Sequence, residues 1–299
     1  AQLFSHAPEP MLGLHVYDMA ARGLVDGDIA RVSTRRGTMY VRVASSSEVQ
    51  PGVVYLPMHW GSQFMSGSGI NILTTGAFDP VSKQPELKHS AVQVAKVSMP
   101  WQMTAMCAVD DPHELMSRLS PFLARFDYAS LTPIGSAQPA VILRAFHSLV
   151  PEGNVIAELD AILKLAADDC DVAFDDIAAG VSKRARLDGD RLAAFRLAGE
   201  AMAGEWLKDF VTSGAGIDAV WPWLFAPSNQ PPAGQVSRGR IVCSCHDVAE
   251  SAIVACLRDG EALTTVKQKL KCGTGCGSCV PELRRMARNF APVELMAAE

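Results

Sequence analysis

Apolar and polar residues alternate in short runs through the first hundred positions. Ile29 to Val32, Met39 to Val43 and Val53 to Leu56 each carry the two-residue period of a half-buried strand. Arg36-Gly37 and Gln50-Pro51-Gly52 punctuate these runs as turns. Before them, "VYDMAARGLVDGD" predicts a short helix stopped at Gly23; after them, a loop rich in glycine and serine, "GSQFMSGSGIN", leads to a last strand in "AVQVAKVSM". Several short strands and one early helix predict a small closed barrel over residues 1–98.

The pattern changes over residues 99–232, which read as an α+β domain. "DPHELMSRLSPFLARF" has helical spacing with an acidic first turn, and "PAVILRAF" is a compact strand. "VSKRARLDGDRLAAFRLAG" reads as two strands joined at Asp188-Gly189, a hairpin signal, and "EAMAGEWLKDFVTSG" as an amphipathic helix ending at Gly214. "APSNQPPAGQVSRG" then has the composition of a linker. Residues 240–290 form a third unit, with short helices in "VAESAIVACLRDG", "TTVKQKLK" and "PELRRMARNF" separated by cysteine loops. No repeat of 20 to 50 residues is found in the sequence.

The 299 residues are 48% hydrophobic and 20% charged, which is globular composition with length enough for two or three domains. The net charge of −5 argues against a general nucleic-acid binder. No apolar run reaches the roughly 18 residues of a membrane span. The chain opens "AQLFSHAPEP", without an initiator Met or a signal-peptide pattern. The expectation is a piece of something longer or a processed product, cytoplasmic in location.

The cysteines change this picture most. Of eight, Cys107 and Cys170 stand alone, whereas Cys243, Cys245, Cys256, Cys272, Cys276 and Cys279 crowd the C-terminal end. A terminal cluster of this kind reads as metal or redox chemistry rather than a disulfide scaffold. "CSC" supplies Cys243 and Cys245, "CGSC" supplies Cys276 and Cys279, and two helices between them return the chain. Two thiolate pairs suit either a tetrahedral zinc or a 2Fe–2S cluster. The C-x-C spacing is tight for zinc, and Gly273, Gly275 and Gly277 let the backbone approach a bulky inorganic core.

"IVCSCHDV…KCGTGCGSCVPEL" resembles the 2Fe–2S module of bacterioferritin-associated ferredoxin. The resemblance implies Cys243, Cys245, Cys276 and Cys279 as the ligands. Cys272 is then surplus, either a small buried residue or a thiol that replaces a ligand or tunes the cluster. Cys256 reads as core, and His246 as a surface residue or a hydrogen-bonding neighbour of the cluster.

Residues 57 to 88 form a long loop containing His59, Trp60, Asn71, Asp79, Lys83 and Lys88, either a binding element or solvated surface. The stretch "SHAPEP…DMAARGLVDGDIARVSTRRGTMYVRV…PGVVYLPMHWG…NILTTGAFDPVSKQPELKHSAVQV" resembles the C-terminal dinucleotide-binding domain of molybdopterin oxidoreductases, a double-psi β-barrel. "MHWG" and "DPVSKQPELK" are most similar to bacterial assimilatory nitrate reductase catalytic subunits, some of which carry a C-terminal ferredoxin-like module. By motif position the resemblance implies that Met58, His59, Asn71 and Lys88 line the site of molybdopterin guanine dinucleotide. Lys88 would meet a phosphate or a polar pterin edge, and Asn71 would donate and accept toward a heterocycle. Trp60 either stacks on a ring or packs in the core.

"RLDGDRLAAFRLAGEAMAGEWL" resembles the small third domain of flavin- and pyridine-nucleotide-linked reductases and holds no G-x-G-x-x-G loop, so it reads as a docking domain or a spacer. The sequence also lacks the N-terminal cysteine motif for a 4Fe–4S cluster and a molybdenum-ligand segment, so no catalytic residue is expected in it. The implied function is the C-terminal portion of a nitrate reductase, inactive alone. Bis(molybdopterin guanine dinucleotide) molybdenum and a 2Fe–2S cluster are its cofactors, and a 4Fe–4S cluster is expected in the missing N-terminal part. Its partners would be the rest of the catalytic subunit and a ferredoxin, a flavodoxin or an NADH-dependent reductase subunit. The competing class is a self-contained 2Fe–2S carrier or metal-binding regulatory module.

Overall fold

A computed structural model describes residues 8–86, 89–135, 138–234 and 239–290. The first sheet comprises β1 (Met11–Leu14), β2 (Ile29–Ser33), β3 (Thr38–Ser45), β4 (Val54–Tyr55) and β5 (Gln93–Val97), in the order β4-β1-β3-β2-β5. β1 runs parallel to β3, with Met11 opposite Arg42, while β2 is antiparallel to both β3 and β5. A parallel neighbour so close in sequence needs a crossover, here the short helix α1 (Val16–Ala21) followed by β2. Where the sequence suggests closure into a barrel, the ladders among the described residues leave β4 and β5 as edges. β4 pairs over two residues only, because Pro51-Gly52 and Pro57 confine it.

The second sheet has six antiparallel strands in the order β7-β8-β6-β11-β10-β9: β6 (Trp101–Ala108), β7 (Tyr128–Ile134), β8 (Ala140–His147), β9 (Val172–Asp176), β10 (Val181–Asp188) and β11 (Arg191–Ala198). Helices α2 (Pro112–Leu119) and α3 (Gly153–Leu163) cover one face, where Trp101, Met103, Leu131 and Leu143 are buried with Leu115 and Leu159. Helix α4 (Gly204–Ser213) covers the other, burying Trp206 and Leu207 against Met106 and Phe195. Burial on both faces removes the alternation a strand usually shows. That is why "WQMTAMCA" and "YASLTPI" give no clear strand signal, whereas the β10–β11 hairpin, with Gly189 at φ +63°, is plain in the sequence.

The two sheets are joined through packing and hydrogen bonds. Tyr128 is buried in the core of the first sheet, with Phe146 packed against it. The segment 64–66 runs along β7: Leu131 N donates to Phe64 O at 2.8 Å, Ser66 N to Ala129 O at 2.9 Å, and Met65 bridges Ser130. Arg42 lies 5.5 Å from the Phe146 ring and pairs with Glu9 at 2.5 Å; Arg144 and Glu205 complete the charged group.

The C-terminal module contains the small hairpin β12 (Ile241–Cys243) and β13 (Val248–Ala249), then α5 (Glu250–Arg258), α6 (Leu263–Leu270) and α7 (Val280–Phe290). Its core is drawn from its own residues, among them Val242, Ile253, Leu257, Val266, Leu283 and Met286.

Candidate cofactor sites

The C-terminal site is built by two loops. The hairpin presents Cys243 at the end of β12 and Cys245 in its turn, where Asp247 takes φ +51° to close the loop. The second loop, between α6 and α7, leaves its helix through Lys271 at φ +57°. Together they place Cys243, Cys245, Cys276 and Cys279 around one cavity of about 660 Å³. Cys245 and Cys276 are exposed and their sulfurs lie 3.3 Å apart; Cys243 and Cys279 are buried. The thiols thus come as an outer and an inner pair, and all are free. Among the described residues no three His, Cys, Asp or Glu side chains converge as a site for a single metal ion.

The chemistry of this donor set fits a binuclear cluster. Thiolates are the ligands, and the loop favours them unequally. Hydrogen bonds from the Ser278 hydroxyl and backbone, and from Cys245, bring the Cys276 thiol down to about 7. Burial and the neighbouring Cys243 push Cys279 up to about 11. At Gly275 a Cβ would sit 3.5 Å from Cys245 Sγ, so the backbone of one cysteine loop runs close to a thiol of the other. Gly273 and Gly277 have φ of +73° and +78°, so both occupy conformations that side chains disfavour. Cys272 is fully buried behind the loop, its sulfur 4.0 Å from Val266 O, and is not among the cavity residues. Cys256 is buried in the module core, as its helical position suggests. His246 Nε2 lies 3.3 Å from Thr274 Oγ1, tying the two cysteine loops together.

Sequence reasoning missed three contributors. Ser278 Oγ is 3.3 Å from Cys276 Sγ, a contact foreshadowed only by its place inside the C-G-S-C spacing. Arg240 brackets the site from below, pairing with Glu250 at 3.0 Å and with Glu282. Residues Ser45 to Glu48, at the end of β3, line the same cavity although they are two hundred positions away.

The N-terminal site is a cavity of about 850 Å³ at the edge of the first sheet. The structure brings Met58, His59 and Asn71 together on its wall, with Gln63, Thr74 and Ser90. Met58 and His59 follow β4 and are exposed, with His59 at φ +76°; Asn71 lies in a 3-10 turn, Ile70–Leu73. Lys88 lies outside the described residues. Trp60 is 5% exposed and meets Phe64 edge-on at 6.0 Å, so its ring belongs to the core while its edge lines the cavity. At Gly69, φ +73°, a Cβ would fall 2.6 Å from Trp60 O, so the two walls of the loop touch backbone to backbone. A partly apolar cleft of this size, with amide, hydroxyl and imidazole groups converging on it, fits a large heterocyclic nucleotide.

Comparison with known proteins finds a match at each end of the chain. Residues 1–91 match the molydopterin dinucleotide binding domain and residues 241–288 the BFD-like 2Fe–2S binding domain. The chain therefore carries a match to a molydopterin dinucleotide binding domain at one end and to a 2Fe–2S binding domain at the other.

The relatives are narrower. The chain is 29% identical over 303 residues to a nitrate reductase of Klebsiella oxytoca, covering 95% of this chain and 31% of that protein. It is 41% identical over 64 residues to a nitrate reductase of Synechocystis sp., covering 21% of this chain and 9% of that protein. The chain spans about a third of the length of the Klebsiella relative. No described helix is long and apolar enough to cross a membrane.

Proposed function

We propose that this chain is the C-terminal portion of a molybdenum-dependent assimilatory nitrate reductase acting in the cytoplasm. Its parts are a dinucleotide-binding double-psi barrel over residues 1–98, a docking domain over 99–232 and a 2Fe–2S domain over 240–290. One observation carries the reading. Four cysteines within the last 57 residues converge on one cavity, in a chain whose other end offers a nucleotide-sized cleft. The parallel pairing of β1 with β3 across an intervening strand supports the barrel topology.

Met58, His59 and Asn71, with Lys88, hold the guanine dinucleotide of a bis(molybdopterin guanine dinucleotide) molybdenum cofactor. The Asn71 amide offers both a donor and an acceptor to a heterocycle, and Lys88 offers a charge to a phosphate. Cys243, Cys245, Cys276 and Cys279 hold the cluster, with the inner pair shielded and the outer pair facing solvent. A bound 2Fe–2S cluster supplies one-electron transfer at this position. The residues around it fix its location: Ser278 hydrogen-bonds an outer ligand, and the glycines let the backbone come close. A ferredoxin, flavodoxin or NADH-dependent reductase subunit gives the electron, and nitrate is reduced to nitrite elsewhere in the enzyme.

The test is metal and acid-labile sulfide analysis with a visible spectrum, on protein purified without air. The expected result is about two iron and two sulfide per chain, with absorption that dithionite bleaches. Stoichiometric zinc without sulfide overturns the reading.

A further inference from the structure

The cleft at the edge of the first sheet, about 850 Å³, is walled almost without charge. Apart from the His59 imidazole, the described residues around it are neutral: none is Lys, Arg, Asp or Glu. Arg36, which does not line it, donates from Nη2 to Leu73 O at 3.1 Å, and Lys83 is held 5.4 Å over the Phe78 ring. Taking a phosphate out of water without a cation is costly, so such a wall disfavours phosphates. It suits a neutral ring. Leu12, Val32 and Leu73 supply apolar surface to the ring faces, and Gln63 and Asn71 are exposed on the same wall.

The wall is held in a specific shape. His59 keeps φ +76°, which costs energy in a residue other than glycine. Gly69 packs so closely that a Cβ would stand 2.6 Å from Trp60 O. Ser90 lines the same cleft, and its Oγ is buried with no hydrogen-bond partner among the described residues. A buried hydroxyl left unpaired is penalised, and rotation about its one side-chain torsion can present it to the cleft. A polar ligand edge there relieves the penalty. Guanine and pterin carry the same such edge: an amino group and a ring N–H that donate, next to a carbonyl that accepts. A side-chain amide also sets a donor beside an acceptor and matches that edge, while a hydroxyl serves in either role.

We propose that this cleft binds the aminopyrimidinone edge shared by guanine and pterin, through Gln63, Asn71 and Ser90, and leaves the phosphates of the ligand outside. Ser90 is a positioning residue that turns toward the ring when the cleft is filled. The inference rests on the dinucleotide reading above and adds which part of the ligand enters.

The experiment is calorimetric titration of the full chain with guanosine, hydroxymethylpterin, adenosine and GDP, at low and high salt. Guanosine or the pterin is expected to bind, and the tighter of the two identifies which end of the ligand enters. Adenosine, without the amino–carbonyl edge, is expected to bind about tenfold more weakly or worse. GDP is expected to match guanosine within about threefold at both salt levels, because its phosphates meet no fixed charge. Ser90→Ala is expected to weaken ring binding about fivefold, the loss of one hydrogen bond, without lowering the melting temperature, since an unpaired hydroxyl is removed. Asn71→Ala, at an exposed position, is expected to weaken it at least as much with the fold intact. Binding of GDP alone, abolished by salt, makes the cleft a phosphate site; that overturns the inference and leaves the dinucleotide reading standing. Adenosine held as tightly as guanosine, or unchanged affinity in either variant, also overturns it. Failure of all four ligands to bind refutes the dinucleotide reading of the cleft as well.

Discussion

The ion pair between Arg196 on β11 and Asp160 on α3 offers a clean test of what holds the middle of the chain together. Arg196 is 1% exposed. Its Nε and Nη2 reach the two Asp160 oxygens at 2.6 and 2.9 Å, and Nη1 donates to Ser182 O at 2.7 Å. In Asp160→Ala the guanidinium stays buried with its counter-charge gone. Stranding a buried charge in this way costs about 3–5 kcal/mol. The better helix propensity of alanine returns roughly 0.5 kcal/mol. At about 4 °C per kcal/mol for a domain of this size, the net loss lowers the midpoint by about 10 °C or more. The control is Asp175→Ala, which removes the partner of Arg184 at 2.8 Å where Asp175 is 46% exposed. That exposed pair is worth roughly 0–1 kcal/mol. Thermal unfolding followed by the fluorescence of buried Trp101 and Trp206 reports on this domain. If both variants lose the same few tenths of a kcal/mol, the reasoning from burial is refuted.

Three further outcomes are expected. Cys276→Ser abolishes the visible cluster absorption, whereas Cys272→Ser, altering a buried thiol outside the cavity, keeps it; equal loss in both would reassign the ligands. Burial works to raise the Glu205 carboxyl, but Arg144, Lys208 and Arg42 prevail and hold it at about 2, below the ordinary 4.5. Its contribution is full above about pH 4.5 and is lost as pH falls toward 2. Because the side chain is 42% exposed, screening leaves about 1 kcal/mol, which urea titrations of Glu205→Gln between pH 2 and 6 would find missing. Gly69→Ala costs roughly 2 kcal/mol or more in thermal unfolding, because positive φ and the Trp60 carbonyl both oppose it. Gly52→Ala, also at positive φ but with open space around it, costs about 1 kcal/mol.

The sequence was informative where a local rule applied. Alternation marked β2 and β3, Asp188-Gly189 marked the hairpin, and Gly214 marked the end of α4, where it caps the helix at φ +65°. Of the strands buried on both faces, β8 was legible as the compact apolar run "PAVILRAF", whereas β7 hid because the buried Ser130 and Thr132 break its apolar run. Helix α3 hid for a different reason. "GNVIAELDAIL" has no side chain capping its start, and its Asp160 looks exposed in sequence yet pairs inward with Arg196. The cysteine spacing led to one cavity because each cysteine pair sits in its own tight loop, while Met58, His59 and Asn71 line another although they are spread along a long loop. The Ser45–Glu48 wall could not be read this way. It depends on how two units sit together, which no periodicity records.

The pairing of segment 64–66 with β7 has a consequence for how this chain can be divided. β7 is the last strand of its sheet, and its outer edge is occupied by Phe64, Met65 and Ser66 rather than by water. A cut placed near residue 98 would strip that cover and leave an uncapped edge, with Tyr128 losing its packing on the first core. Bare edges of this kind recruit further strands from neighbouring molecules. Expressed alone, residues 99–232 would tend to self-associate through β7, so a soluble preparation has to begin upstream of residue 64.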